Sequence, residues 1–233
     1  NYLRITKENI DSEHFAAQCR GNKVLPIYIN CLWIAGSLKG HGYSNDLLNE
    51  CIRDAREQGK KGICILSSDG RKREFLSDPK YMAYKGFSVA DTTDCGINLM
   101  YLPLEPNVEP PKFKEYAKHP NVAEHGFVLY YTDQCPFTYY WAPRVQEVAK
   151  EHSIPLKVIH VTSREQAQNL SAPATTYALF KDGKFITHAI QSDKKFYRSP
   201  AFPNKDRYTD WYTATIFSNI KKQVRFFGLV FIL

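Results

Sequence analysis

The chain has 233 residues, of which 43% are hydrophobic and 24% charged, and its formal net charge is +7. This composition predicts a soluble globular protein of one or two domains. No apolar run reaches the roughly 20 residues of a membrane-spanning helix. The basic excess lies mostly in residues 196–233, with six basic and two acidic side chains, rather than in a stripe on a folded domain. We therefore expect neither a membrane span nor a nucleic-acid partner.

Cysteine usage indicates a reduced, cytoplasmic protein. The six cysteines form no Cys-x-x-Cys pair and no Cys/His pair at the spacing of a zinc site. We therefore expect free thiols, no bound metal and no cleavable signal peptide. The cysteines are Cys19, Cys31, Cys51, Cys64, Cys95 and Cys135.

Residues 1–105 are predicted to form a first α/β domain. Alternating or continuous apolar residues with Gly and Pro at their ends predict strands, and an apolar stripe at helical spacing predicts a helix. Asp78 is expected to cap a short helix that begins at Pro79. The predicted elements are a strand at 2–5, a helix capped near Asn9 or Asp11, strands at 27–35 and 62–68, helices at 43–58 and 79–85, and strands at 87–90 and 98–102.

A proline-rich break at residues 102–111 separates this segment from a second predicted domain, residues 112–195. A second break at 199–203 lies within a tail, 196–233, that fits neither domain. The predicted elements of the second domain are strands at 126–132, 156–161, 176–180 and 185–189, with helices from 136 to about 152 and from 162 to 169.

A glycine-rich turn precedes the predicted helix at 43–58. Gly40 and Gly42 allow the backbone to fold tightly, so that its N–H groups and those of the first helical turn face one point. Such a turn is typical of a phosphate site, and an ordinary turn is the alternative. The pattern is not a dinucleotide fingerprint, because Ser44-Asn45 stands where a third glycine would be due.

The order of elements in residues 27–102 resembles the GCN5-related N-acetyltransferases. The pyrophosphate loop of that family reads Arg/Gln-x-x-Gly-x-Gly/Ala, and residues 39–44, Lys-Gly-His-Gly-Tyr-Ser, stand in its place. Lys39 replaces Arg or Gln, and Ser44 replaces Gly or Ala. Residues 81–87, Tyr-Met-Ala-Tyr-Lys-Gly-Phe, resemble the family's "YEKxGF" ending.

The resemblance implies a sheet with flanking helices that transfers acetyl from acetyl-CoA to a primary amine of an unidentified acceptor. The pantetheine arm would lie against the strand that precedes the loop, and the loop amides would hold the pyrophosphate. A tyrosine acid usually occupies the position of Met82, and Tyr81 and Tyr84 flank it as candidate catalytic residues. The implied cofactor-binding residues are Leu32, Ile34, Gly36, Lys39, Gly40, His41, Gly42, Tyr43 and Ser44.

The first domain is expected to be abbreviated at its N-terminus. The family builds a strand, two helices and two further strands before the glycine-loop strand, whereas 26 residues precede Ile27 here. We therefore expect the acceptor-binding half of the fold to be absent or abbreviated. The alternative function is a catalytically inactive module that binds CoA or a protein partner.

The second domain resembles thioredoxin-like domains in its β-α-β-α-β-β order. Cys135 begins a Cys-Pro-Phe-Thr sequence at a helix N-terminus, a position that favours a thiolate. Thr138 replaces the second cysteine, which excludes an intramolecular disulfide cycle. A monothiol redox protein using Cys135 is therefore a third alternative.

The pairing of the two domains, together with residues 175–188, resembles the YoaP-like N-acetyltransferases. This narrower group does not identify the acceptor. The tail is interpreted as a docking segment for a protein partner or as an aberrant terminus.

Overall fold

The computed structural model describes residues 19–20, 26–32, 34 and 36–197. The strand predicted at 2–5, the helix cap near Asn9 or Asp11 and residues 198–233 of the predicted tail lie outside these ranges. Every helix in the described ranges is too short or too polar to cross a bilayer.

The described ranges form an α/β structure with two four-stranded sheets and one two-stranded ribbon. Its strands are β1 (Cys19–Arg20), β2 (Ile27–Ile29), β3 (Gly62–Ser68), β4 (Ser88–Thr92), β5 (Ile97–Pro103), β6 (Lys112–Phe113), β7 (Phe127–Tyr131), β8 (Leu156–His160), β9 (Tyr177–Lys181) and β10 (Lys184–Thr187). Its helices are α1 (Tyr43–Glu57), α2 (Pro79–Tyr84), α3 (Glu115–Lys118), α4 (Pro136–Glu151), α5 (Arg164–Asn169) and α6 (Asp193–Tyr197), with a 3-10 turn at Gly36–Leu38.

The first sheet has the strand order β2-β3-β5-β4. Strand β2 runs parallel to β3, and the other two pairings are antiparallel. All seven residues of β3 are buried, because layers cover both faces of the sheet. This burial explains the nearly continuous apolar sequence of the strand.

Helices α1 and α2 cover one face of the first sheet. Leu48, Cys51 and Ala55 form the apolar stripe of α1 and pack with Ile63 and Ile65 of β3. The side chain of Asp78 caps α2 by accepting hydrogen bonds from the backbone N–H groups of Lys80 (2.9 Å) and Tyr81 (3.1 Å). Both the stripe and the cap were predicted from the sequence.

Segments that follow the first sheet in sequence cover its other face. Cys64 and Leu66 of β3 pack with Phe113 of β6, Ala117 of α3 and Ala174, which precedes β9. Strand β6 also pairs with β1, an association that the sequence did not predict. The second sheet therefore lies close to the first on the face opposite α1.

The second sheet has the strand order β10-β9-β7-β8. Strand β8 runs parallel to β7, while β9 is antiparallel to both β7 and β10. Val145, Val148 and Ala149 of α4 pack on one face of this sheet. The element order is β7-α4-β8-α5-β9-β10-α6.

Most predicted elements end within two residues of their observed bounds, but one predicted strand is much too long. The strand predicted at 27–35 ends at Ile29, because the chain then leaves β3. Phe196, assigned to the tail, is fully buried in α6 and meets the ring of Phe127 edge-on, with centroids 6.1 Å apart. The second hydrophobic core therefore includes the beginning of the predicted tail.

Candidate functional site

The first sheet opens between β2 and β3. Their pairing ends at Ile29 and Ile65, whereas β3 continues beside β5 as far as Ser68. A cavity of about 1310 Å³ occupies the opening. Cys31, Leu32 and Ile34 line it, which explains why this apolar stretch is not a strand.

The glycine turn forms the mouth of the same cavity. Gly40 and Gly42 have φ angles of 82° and 81°, in the left-handed region that favours glycine. Gly42 is the N-cap of α1, and its carbonyl accepts a hydrogen bond of 2.8 Å from the N–H of Asn45. Because glycine has no capping side chain, the first amides of α1 are available to an anion.

The cavity brings together most of the predicted cofactor-binding residues. Gly36 and His41 are not among its lining residues, and the His41 ring lies 5.9 Å from the Tyr43 ring. The predicted residues that line the cavity are Leu32, Ile34, Lys39, Gly40, Gly42, Tyr43 and Ser44.

The two candidate tyrosines occupy different positions. Tyr81 lines the cavity, and its hydroxyl donates a hydrogen bond of 2.9 Å to Ser44 Oγ. Tyr84 is 80% exposed and is not a lining residue. Met82, at the family's usual tyrosine position, is buried against the sheet and also borders the cavity.

The charged groups near the mouth favour an anionic ligand. Lys39 and Lys72 line the cavity, and neither ammonium forms an ion pair with another described residue. The carboxylates are engaged: Glu74 pairs with Lys195, and Asp78 caps α2. The cavity lining therefore presents two available positive charges.

The far wall of the cavity comes from the second sheet. Gln134, which precedes α4, accepts hydrogen bonds from the hydroxyls of Thr132 (3.3 Å), Thr175 (3.4 Å) and Thr176 (3.3 Å). Cys135 and His188 lie on the same wall. The two sheets thus enclose one site.

Cys135 is a partly buried thiol rather than an activated thiolate. Burial raises its pKa, and the backbone N–H groups of Phe137 and Thr138 only partly oppose this effect. The thiolate predicted from the helix N-terminus is therefore disfavoured at neutral pH. Thr138 is fully buried, and its hydroxyl donates to the carbonyls of Thr132 and Cys135, each at 2.6 Å.

Cys31, which lies just after β2, lines the cavity and is also protonated at neutral pH. Burial, with a smaller effect from Cys135, raises its pKa to about 11. Neither lining thiol is therefore a ready nucleophile or base.

His188 lines the cavity, although the sequence analysis did not link it to the site. It is 8% exposed, and its Nε2 lies 2.9 Å from the backbone oxygen of Glu74. Burial lowers the pKa of the ring; the bond to Glu74 acts in the opposite direction. The imidazole is therefore neutral at pH 7.

Sequence reasoning missed the loop before α2 and the far wall. The basic run 71–73 was a visible signal for the loop, whereas nothing local linked Gln134 or His188 to the glycine turn. Across the described ranges, no three metal-binding side chains gather at a site.

Comparisons with known proteins find a family model and a curated relative that match this chain. The model of a family described as YoaP-like matches residues 155–198, which include most of the second sheet. A Bacillus subtilis (strain 168) protein named "Uncharacterized N-acetyltransferase YoaP" is 35% identical over 170 residues, or 73% of this chain and 67% of that protein. No solved structure matches the chain.

Proposed function

The chain belongs to the YoaP-like N-acetyltransferases, and from this membership we propose that it transfers acetyl from acetyl-CoA to a primary amine. The acceptor is an amine of unidentified structure. The cofactor would occupy the cavity between β2 and β3.

One observation carries the proposal: the sheet opening, the glycine turn and two available cations share a single cavity. CoA has a largely uncharged pantetheine arm at one end and negatively charged phosphates at the other. The lining supplies both environments in the same order, with Leu32 and Ile34 in the opening and Lys39 at the mouth. An elongated, anionic thioester fits this distribution of groups.

The pyrophosphate would bind the amides of Gly40, Gly42, Tyr43 and Ser44. Those N–H groups belong to the turn and to the first turn of α1, where the helix dipole adds a partial positive charge. Leu32 and Ile34, which line the opening, would offer their backbone to the pantetheine amides. The ammonium groups of Lys39 and Lys72 would form ion pairs with the phosphates.

The chemistry would be direct attack by the amine on the thioester carbonyl carbon. Holding both reactants in one cavity makes this step effectively unimolecular. Tyr81 is the proposed acid that protonates the departing thiolate, because it lines the cavity while Tyr84 faces solvent.

We propose that the second sheet forms a thioredoxin-like accessory domain, predicted at residues 112–195 and extended to Tyr197 by α6. It lies next to an acetyltransferase domain at residues 1–105. Its parallel β7–β8 pair, its antiparallel β9–β10 hairpin and the alternating helices support this assignment. Thiols at Cys31, Cys51, Cys95 and Cys135 fit a reducing compartment, and we propose a cytoplasmic location.

A non-catalytic CoA-binding module is the second candidate. Met82 cannot donate a proton, and it stands where the tyrosine acid usually lies in the GCN5-related family that the chain resembles. This observation favours the non-catalytic module. The raised pKa of Cys135 disfavours the third reading, a monothiol redox protein.

A labelling experiment separates these functions. The protein is incubated with [13C]acetyl-CoA and a panel of a polyamine, lysine-containing peptides and peptides with free N-termini, and the products are examined by mass spectrometry. Label on an amine, retained in Cys135→Ser, supports the transferase. Bound CoA without labelled amine supports the non-catalytic module. Labelling that is lost in Cys135→Ser but kept in Gly42→Asp would place the chemistry at Cys135, as the redox alternative requires.

A further inference from the structure

His188 is placed by the second sheet in the cavity that the first sheet opens. It directly follows β10, at 8% exposure. Its neighbours on the same wall include Thr176 and Ile190. The proposed mechanism of acetyl transfer does not yet assign a role to His188.

The hydrogen bond of His188 fixes which ring nitrogen carries the proton. A backbone carbonyl can only accept, so Nε2, at 2.9 Å from the oxygen of Glu74, must be the donor. In the neutral ring Nδ1 then carries a lone pair. Among the described residues, that nitrogen has no hydrogen-bond partner.

The ring is held neutral by its surroundings at the pH of the cell. Arg73 and Glu74, from the loop before α2, are the charged residues that act on it, and they act in opposite directions. The carboxylate of Glu74 is itself paired with Lys195. The nearby thiols Cys31 and Cys135 remain protonated, because burial raises the pKa of each.

The two carboxylates that line the cavity already have partners. The carboxylate of Asp78 accepts two N–H groups at the start of α2. Glu74 is exposed and forms its ion pair with Lys195. His188 therefore contributes to the lining a neutral imidazole nitrogen that has no hydrogen-bond partner among the described residues, with a pKa below neutrality.

We propose that His188 is the general base of acetyl transfer, so that the second sheet completes the active centre of the first. This inference rests on the proposed function. As the amine nitrogen bonds to the acetyl carbon, the C–S bond breaks and Nδ1 takes one proton from that nitrogen. The CoA thiolate takes a proton from Tyr81, and solvent then resets both residues.

The first test measures whether CoA reaches His188. Diethyl pyrocarbonate modifies neutral imidazoles, and the modified residue is located by mass spectrometry. CoA should protect His188 at least about tenfold, whereas adenosine 3′,5′-diphosphate, which lacks the pantetheine arm, should not. Equal modification of His188 with and without saturating CoA would overturn the inference.

The second test measures catalysis with water as the acceptor, so that it needs no identified amine. Release of CoA thiol from acetyl-CoA is followed across pH for the wild type and for His188→Gln, whose amide can keep the bond to Glu74. We expect the rate at pH 7.5 to fall about 100-fold and the acidic limb of the profile to disappear. His125→Gln, an exposed histidine outside the cavity, is the matched control.

Binding of acetyl-CoA to the same variants distinguishes the role of His188 as the base from the proposed transferase function. Unchanged affinity with lost turnover in His188→Gln supports the base. A wild-type rate and pH profile in His188→Gln would overturn it while leaving the transferase intact. Tight binding to a wild type that releases no thiol would overturn the base together with turnover, and absence of binding would reject the cofactor site itself.

Discussion

The hydroxyl of Tyr81 donates a hydrogen bond of 2.9 Å to Ser44 Oγ, joining α2 to the first turn of α1. Ser44 belongs to the glycine turn, so the bond connects the two motifs that the sequence singled out. Tyr84, three residues further along, is 80% exposed. Variants of Tyr81 and Tyr84 can therefore distinguish a role in the cavity from a role on the surface.

Tyr81→Phe removes one hydroxyl and leaves the ring in place. If Tyr81 protonates the thiolate, kcat should fall by about 100-fold while the Kd of acetyl-CoA changes less than about threefold, because the proton is transferred only during the reaction. Tyr84→Phe should retain the wild-type kcat. Equal losses in both variants, or none in Tyr81→Phe, would remove Tyr81 from the mechanism.

Lys39 and Lys72 should contribute affinity through their charge. Exposed ion pairs are worth about 0.2–1 kcal/mol each, so Lys39→Gln or Lys72→Gln should raise the Kd of acetyl-CoA by about two- to fivefold. The effect should shrink at high salt, because screening weakens interactions between exposed charges. Titration calorimetry at two ionic strengths measures both changes.

Lys150→Gln is the control for the lysine variants, since Lys150 is exposed on α4 and lies outside the cavity lining. If all three variants bound acetyl-CoA as the wild type does, the cations at the mouth would not be phosphate ligands.

Cys135 should react slowly with alkylating reagents at neutral pH, because burial raises its pKa and the thiolate is the reacting form. Its rate with iodoacetamide at pH 7.5 should be less than about one tenth of that of N-acetylcysteine, and it should rise steadily with pH. Mass spectrometry, with Cys135→Ser as the blank, locates the label. A rate equal to that of N-acetylcysteine would support the thiolate that was predicted from the helix N-terminus.

His188 should make the protein less stable in mild acid. Its folded pKa lies below the ordinary value of 6.5, so the unfolded chain binds a proton that the folded chain resists. The free energy of unfolding should therefore decrease as the pH falls from about 7 toward 5, and His188→Gln should flatten this decrease. Denaturant unfolding at both pH values gives the comparison; an unchanged pH dependence in the variant would mean that another group is responsible.

The elements that were predicted most accurately depend on local signals. Strand β3 was predicted to the residue, since Gly62 and a short apolar run define it without help from distant residues. Helix α1 differs from its prediction only at its last residue, because the stripe of Leu48, Cys51 and Ala55 follows one helical face. Asp78 and Pro79 mark the start of α2 by backbone chemistry alone.

The features that were missed depend on what the residues face. Cys31, Leu32 and Ile34 read as a strand because residues lining a cavity are as apolar as residues in a sheet. Cys135 was assigned a thiolate from its helix position, whereas its burial by distant segments has the larger effect. His188 meets Glu74 across 114 residues, and no pattern in a single sequence predicts such a contact.

The central claim is that the glycine turn in the inter-sheet cavity holds acetyl-CoA, and calorimetric titration of two Gly42 variants tests it most directly. Asn and Asp are nearly isosteric, and both tolerate the φ of 81° at this position better than most residues, so Gly42→Asn reports the steric effect and Gly42→Asp adds a carboxylate. We predict micromolar binding to the wild type and at least about 100-fold weaker binding to Gly42→Asp than to Gly42→Asn. Equal affinity of the two variants, or no binding to the wild type, would contradict the claim.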